Sequence, residues 1–410
     1  MSTIVQKYGG SSLATTSTIC DIAKRIANSY RDGNRLVVIV SAMGNTTNDL
    51  IDLAQNVSST PPLREMDMLL STGELVSSAL LAMALNSEGI DAISLSGAQA
   101  GIKTNTTHGK ARIEFVDPKR ILDELDKNKI VVVAGFQGID QEMEITTLGR
   151  GASDLSAVAI AAGLRTDICE IYTDVDGIYT ADPKLVRDAR KLDEIEYEEM
   201  LELASYGAKM DPRSIELAMV YQIPITVASS FAKNPGTKIH QGANMDSKIG
   251  EIRNRVRGIA SDINVAKITV LGVMDKPGIA ANLFQPLAEA DISVDVIVQN
   301  TSSKGYTDLT FTVKRTDLNN AIEVVNSVAE TLGSRGISST DNLAKVSIIG
   351  TGMRDAPGYA SKMFSTLATA NINIEMITTS EIRITCIIDS KHVEKATKVI
   401  HKAFELANSE

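Results

Sequence analysis

Five polar clusters stand where apolar runs end, and their residue types suit the handling of a small anion. The first is Lys7-Tyr8-Gly9-Gly10-Ser11-Ser12, a cation followed by two glycines and two hydroxyls. Such a turn exposes backbone N–H groups beside a positive charge, which suits a phosphate. The serines are expected to cap a helix over Thr18–Asn28, whose N-terminal dipole would add to the same anion site. The other clusters are Ser41-Ala42-Met43-Gly44 through Thr47, Ser71-Thr72-Gly73-Glu74, Gly149-Arg150-Gly151-Ala152-Ser153-Asp154, and Thr173-Asp174-Val175-Asp176-Gly177-Ile178-Tyr179-Thr180-Ala181-Asp182-Pro183. Taken singly, each reads as a turn or a cap: Ser153-Asp154 as a helix N-cap, Asp174–Gly177 as a tight turn. Five such clusters at element ends are harder to assign to turns alone. No G-x-x-x-x-G-K-[ST] and no G-x-G-x-x-G is present, so a nucleotide would have to bind in another way.

The elements that would position these clusters follow two patterns. Up to about residue 230, buried-looking strands (Leu36–Val40, Ile130–Ala134, Ile168–Tyr172, Ile225–Val227) alternate with helical stretches (Met66–Asn86, Asp154–Ala162, Tyr197–Ala204, Arg213–Val220). That alternation predicts an α/β domain, a mostly parallel sheet covered on both faces, with ligands at the carboxyl ends of its strands. The polar, glycine-bearing segment Ala232–Gly250 reads as a connection. Beyond it the chain repeats itself. Pro277-Gly278 matches Pro357-Gly358, and the same offset pairs Ala280 with Ala360, Phe284 with Phe364, Leu287 with Leu367, Ala288 with Ala368, Ala290 with Ala370, Ile292 with Ile372, Val294 with Ile374 and Ile297 with Ile377. Each copy reads strand, Pro-Gly turn, helix, strand, strand, helix, a small ferredoxin-like α+β unit. Such a pair serves either as a dimerisation module or as a ligand sensor, because the Asp-x-Pro-Gly turn opens a helix N-terminus able to hold a carboxylate.

Composition narrows the partners. The 410 residues are 43% hydrophobic and 22% charged, enough for two or three globular domains, and the formal charge of -10 argues against nucleic acid or an anionic membrane. Cys20, Cys169 and Cys386 have no paired spacing, and the four histidines form no metal-ligand pattern, so no protein-bound metal is expected. With no leader pattern and no apolar run near membrane length, the expectation is a cytoplasmic protein.

Together these residues resemble the aspartate kinases, members of the amino acid kinase family. Lys7–Ser12 is similar to the family's K-[FY]-G-G-[ST]-S, Ser41–Gly44 to S-A-M-G, Ser71–Glu74 to S-T-G-E, Gly149–Asp154 to G-R-G-G-S-D, and Thr173–Tyr179 to T-D-V-D-G-[IV]-Y. The repeats resemble paired ACT domains. Two departures stand out. Ala152 replaces a glycine, which a position with negative φ tolerates. The segment Tyr206-Gly207-Ala208-Lys209-Met210-Asp211-Pro212-Arg213 is one residue shorter than G-A-K-V-L-H-P-R and lacks its histidine.

The resemblance implies a catalytic domain over 1–248, a first ACT-like domain over 249–340 and a second over 341–410. It implies transfer of the γ-phosphoryl group of ATP, with Mg²⁺ held mainly by the phosphates, to the β-carboxylate of L-aspartate. A carboxylate acceptor needs no general base, so catalysis reduces to alignment and charge neutralisation. Lys7, Gly9, Gly10 and Asp154 are the expected catalytic groups. Ser11, Ser41, Thr47, Gly151 and Ser153 would place the phosphates and acceptor; Glu74 would meet its ammonium and Arg150 its α-carboxylate. Thr173, Asp174, Tyr179, Asp182 and Lys209, with Tyr8, would line the nucleotide. Lysine and/or threonine are the expected effectors of a homo-oligomer, at least a dimer joined through the ACT units. Their pockets would use Asp275, Gly278, Ile279, Ala280, Gln299 and Asn300 from the first repeat, and Tyr359, Ala360, Asn371, Ile372 and Asn373 from the second. Other acceptors on the same fold would lack S-T-G-E and the ACT pair, and a non-catalytic sensor would not need Lys7, Glu74, Arg150 and Asp154. With the chain ending at Glu410, no homoserine dehydrogenase domain is expected.

Overall fold

Two strands of the sheet are built on apolar runs with no polar interruption, as both faces of a covered parallel sheet require. Val37–Val40 and Ile130–Ala134 have no exposed surface at all. The computed structural model describes residues 2–205, 210–232, 234–242, 256–300, 305–353 and 357–407. The chain divides into two compact units, Met1–Tyr179 with Lys191–Ile249, and Thr180–Arg190 with Gly250–Glu410.

In the first unit, β1 (Thr3–Tyr8), α1 (Thr16–Arg31), β2 (Arg35–Val40), α2 (Thr46–Val57) and α3 (Leu63–Ser87) come first. After them run β3 (Ala92–Leu95), β4 (Ile102–Thr104), β5 (Ile113–Val116), α4 (Lys119–Leu125), β6 (Ile130–Ala134), β7 (Gln137–Ile139) and β8 (Ile145–Thr147). The unit ends with α5 (Ser153–Leu164), β9 (Cys169–Thr173), β10 (Glu194–Glu196), α6 (Tyr197–Ser205), α7 (Pro212–Tyr221), β11 (Ile225–Ser229) and β12 (Thr237–His240). Eight strands form one sheet in the order β10-β12-β11-β9-β1-β2-β6-β3, parallel at every pairing except β11 with β12. One face, bearing Tyr8, Leu36, Val38, Val40, Ile130 and Val132, packs on α1 and α3. Ser153, opening α5, approaches the alternate face beside Ile39 and Gly135. Helices thus cover both faces, as the alternating pattern predicts. A second sheet, β5-β4-β7-β8, delivers the chain to the Gly149–Gly151 turn.

Helix α1 begins at Thr16 under a capping box of Thr15 and Thr18, and the serines predicted to cap it instead form a short 3-10 turn over Gly10–Leu13. Among the described residues, α3 alone is long and apolar enough to cross a membrane. It packs against α1, β3, β6 and β8, and carries a buried polar line of Asp67, Ser71, Glu74 and Ser78. It is a core helix with a polar stripe.

The second unit holds β13 (Gly258–Met274), α8 (Ile279–Glu289), β14 (Val294–Gln299), β15 (Tyr306–Val313) and α9 (Leu318–Ala329). The second copy follows: β16 (Gly336–Ile349), α10 (Tyr359–Thr369), β17 (Met376–Thr379), β18 (Arg383–Asp389) and α11 (Val393–Ala403). The repeat extends to backbone detail, since Gly278 and Gly358 both take positive φ before their helices, and Asp291 and Asn371 both do so after them. All strands join one sheet, β14-β15-β13-β16-β18-β17. The two copies share strands. Lys267–Leu271 of β13 pairs with Gly336–Thr340 of β16, which completes the first unit, while Gly258–Asp262 pairs with Lys345–Ile349 and completes the second. The second copy therefore takes its fourth strand from residues that precede the first. Residues 180–190 also belong here: Ala181 and Val186 lie in the second copy's core, and Thr180 Oγ1 is 3.0 Å from His401 Nε2.

Candidate active site

Parallel strands deliver their carboxyl ends to one edge of a sheet, and β1, β2, β6, β9 and β11 all do so in the first unit. Four of the five sequence clusters are arranged around this edge, and the fifth starts from it at Thr173, the last residue of β9. Lys7, 8% exposed near the end of β1, places Nζ 2.6 Å from Asp154 Oδ1 in the first turn of α5. This is an ion pair without hydrogen-bond alignment, since Asp154 Oδ1 is buried with no hydrogen-bond partner. A Cβ built on Gly9 would lie 3.6 Å from Lys7 Nζ, so the ammonium lies over the glycine turn. Gly10 must be glycine: a Cβ there would meet the Ala42 carbonyl at 2.6 Å. The Gly9 N–H already donates to Tyr172 O, and the Tyr8 ring is buried and stacked on Tyr172. Ser11 is exposed, whereas Ser12 is fully buried against Ser230 at 2.5 Å.

Glu74 meets this edge from α3. Its Oε1 accepts the Ala42 N–H at 3.0 Å, while Oε2 is buried with no hydrogen-bond partner. Burial pushes this carboxyl up to about 7 despite the opposing pull of the Ala42 N–H. Ser77, one turn further along α3, donates to Ser41 O at 2.7 Å, and Ser41 N–H donates to Tyr8 O at 3.1 Å. The helix thus holds the loop between β2 and α2. Thr47, half-buried, lies in the first turn of α2. Arg150 is exposed, its Nη2 held by Asn48 Oδ1 at 3.1 Å. Gly149 and Gly151 take φ of +93 and +83, which glycine accommodates. Ala152, the N-cap of α5, has φ -74, as its replacement of a glycine requires. Ser153 and Asp154 are buried within the first turn of α5, so neither is the cap.

The fifth cluster leaves β9 beside β1. Thr173 accepts Ser230 N–H through its carbonyl and donates its hydroxyl to Asp174 at 3.1 Å. Tyr179 donates to Asp176 Oδ1 at 2.6 Å, a bond that pushes its phenol up to about 12. Asp182 falls in the second unit, where its side chain caps Lys184 N–H. Lys209 lies outside the described residues. Of the expected effector residues, Asp275, Gly278, Ala280, Gln299, Asn300, Asn371 and Asn373 are exposed, and Tyr359 and Ala360 are half-buried. Ile279 and Ile372 are buried in the cores of their copies and offer only backbone. Sequence reasoning did not single out Asp67, His108 or Arg213, which gather behind the Gly149–Gly151 turn. The spacing of Asp67, Ser71, Glu74 and Ser78 along one helical face was the available signal.

The fold and this edge define a kinase-type α/β domain followed by a pair of ferredoxin-like modules. The model of the amino acid kinase family matches residues 2–229, and that of the ACT domain matches 268–328 and 346–404. An aspartokinase of Mycolicibacterium smegmatis is 48% identical over 414 residues, covering 100% of this chain and 98% of its own. The aspartate kinase of Stutzerimonas stutzeri is 47% identical over 407 residues, covering 99% and 98%. Escherichia coli aspartokinase III in complex with aspartate and ADP (R-state) is similar in structure at TM-score 0.83 and 25% identity, covering 98% of this chain and 99% of its own. The chain belongs to the amino acid kinase family, and within it to the aspartokinases that carry ACT domains.

Proposed function

We propose that this chain transfers the γ-phosphoryl group of ATP to the β-carboxylate of L-aspartate, giving 4-phospho-L-aspartate, and that lysine and/or threonine inhibit it through the ACT units. The observation that carries the reading is the pairing, at one sheet edge, of a buried Lys7–Asp154 ion pair over the glycine turn with a buried Glu74 oxygen that lacks a partner. A buried carboxylate oxygen without a donor suits an incoming ammonium. In this reading Glu74 takes the acceptor's ammonium, and Arg150, tethered by Asn48, takes its α-carboxylate in a bidentate pair. Lys7 faces the transferring group and neutralises the charge that develops there. With the Gly9 amide engaged by Tyr172, the amide of Gly10 is left to assist it.

Thr173, Asp174 and Tyr179, at the end of the neighbouring strand, would line the nucleotide, and Mg²⁺ would enter on its phosphates. The E. coli complex with aspartate and ADP supports the substrates, and the similar structure of that enzyme with lysine and aspartate (T-state; TM-score 0.75, 25% identity, 98% and 99% covered) supports a lysine effector. We place the catalytic domain at 1–248 apart from residues 180–190, which pack with the second regulatory copy, and the regulatory units at 249–340 and 341–410, in an oligomer at least dimeric and located in the cytoplasm. Trapping of the acyl phosphate with hydroxylamine tests the reading. Aspartyl hydroxamate should form from L-aspartate and Mg-ATP, should fall when lysine and threonine are added, and should form poorly with glutamate. Equal rates with glutamate would overturn the acceptor assignment.

A further inference from the structure

Residues outside the five sequence clusters meet at the root of the Gly149–Gly151 turn. Asp67, in the second turn of α3, is fully buried, and as a carboxylate it can only accept hydrogen bonds. Its Oδ1 takes the Thr147 hydroxyl at 2.5 Å, the Gly109 N–H reaches Oδ1 at 3.1 Å and Oδ2 at 3.0 Å, and His108 Nδ1 lies 2.8 Å from Oδ2. The hydrogen-bond pattern therefore assigns the proton to Nδ1 of His108. Thr147 ends β8, two residues before Gly149, and a Cβ on Gly149 would lie 3.7 Å from the Gly109 carbonyl. From the other side, Arg213 in the first turn of α7 donates to Leu148 O at 2.6 Å and to Ala111 O at 3.0 Å. Both segments at the base of the turn, 109–111 and 147–148, are thus pinned by side chains from helices.

Asp67 stands seven residues before Glu74 on the same helix, which places the two about 10 Å apart along its axis. One rigid element therefore carries the group that takes the acceptor's ammonium and the group that fixes the turn bearing Arg150. We infer that Asp67, locked by His108 and backed by Arg213, is a positioning residue that sets the separation of Glu74 and Arg150 and so the fit of the acceptor. Recognition of a small zwitterion by two opposite charges depends on that separation, and a displacement of about 1 Å costs up to about 100-fold. The inference rests on the reading of aspartate as acceptor.

Asp67→Asn tests it by replacing a charged acceptor of three donors with a neutral amide, whose N–H clashes with the Gly109 N–H on one side and meets His108 on the other only if the imidazole moves its proton to Nε2. The KM for aspartate should rise about tenfold or more while the KM for Mg-ATP stays within about twofold. His108→Leu should act in the same direction, and His108→Asn, whose amide nitrogen can stand where Nδ1 stands, should restore most of the loss. If both KM values rise together, if kcat alone falls, or if His108→Leu and His108→Asn are equally impaired, the positioning role is overturned. Thermal unfolding of each variant detects misfolding, and should Asp67→Asn not fold, the two His108 variants decide the matter. A wild type that ignores aspartate would overturn the acceptor reading instead. Amide hydrogen exchange over 109–111 and 147–151, measured without substrate, then reads the clamp directly: faster exchange in Asp67→Asn or His108→Leu supports it, and unchanged exchange refutes it.

Discussion

Lys7 keeps its ammonium over the glycine turn because Asp154 holds it there, with both groups largely withdrawn from water. A buried pair of this kind contributes little net stability but is costly to break, so its retention is best explained by what the ammonium does. Lys7→Ala should lower kcat by about 10² to 10³, as loss of one preorganised donor does, with a smaller change in the KM for ATP. A variant altered only in KM would reduce Lys7 to a binding group. Glu74 makes a second, pH-dependent expectation. Its carboxyl is raised by burial from 4.5 to about 7, so below about 4.5 it is protonated in both folded and unfolded chains. Between about 4.5 and about 7 the folded chain holds a proton that the unfolded chain has released, and stability falls as pH rises through that window, by on the order of 3 kcal/mol in all. Catalysis should run the other way, because the acceptor's ammonium needs the ionised form. kcat/KM for aspartate should climb through an inflection near 7 that Glu74→Gln removes, while Glu74→Gln also flattens the fall in stability over the same range. An inflection that persists in Glu74→Gln would assign it to another group.

Elements were legible in the sequence where packing imposes a long pattern, and illegible where a few residues are held by distant partners. The buried stretches Leu36–Val40 of β2 and Ile130–Ala134 of β6 show as unbroken apolar runs, and α5, buried along most of its length, as a run of small and branched residues. Strands of three or four residues such as β4, β7, β8 and β10 carry no usable period and exist because the sheet pairs them. The capping of α1 by Thr15 escaped notice because the serines of the glycine turn have at least equal cap propensity, and the tertiary bond from Ser12 to Ser230 decides between them. At the site, Lys7, Arg150 and Asp154 were visible as polar interruptions at element ends, and Glu74 as one inside the helical run of α3. The partners that orient them were not, because Asp67, Ser77 and Arg213 act through backbone atoms of other segments, and no short motif records a bond across the fold. The Tyr8 ring went the same way: its place in the motif suggested the nucleotide, whereas alternation along β1 directs it into the core on the α1 side.

The molecule as a whole shows why the internal repeat is not two interchangeable beads. A ferredoxin-like unit needs four strands, and each copy contributes three of its own with two helices. The first copy is completed by Gly336–Thr340, which follows it directly, but the second is completed by Gly258–Asp262, which the chain lays down before the first copy begins. Val256 and Ile259 from that early segment, together with Ala181 and Val186, are part of the second copy's apolar core. The completing contacts of the second copy therefore lie outside residues 341–410, whereas the first finds its sheet partners within 249–340. Produced separately, 249–340 should unfold cooperatively, while 341–410 should lack a cooperative transition, since one edge of β16 is left unpaired and part of its core has no lid. Mixing the two pieces should restore the missing transition as Gly258–Asp262 pairs with Lys345–Ile349. Ile259, 3% exposed, adds a test in the intact chain: Ile259→Ala removes core volume from the second copy, and should cost about 2–5 kcal/mol in the unfolding of that copy with little effect on kcat. Circular dichroism and thermal unfolding of the pieces, alone and mixed, read the outcome. A 341–410 fragment that folds cooperatively by itself, with no gain on mixing, would show that the shared strands are a convenience of packing and that the two copies are independent.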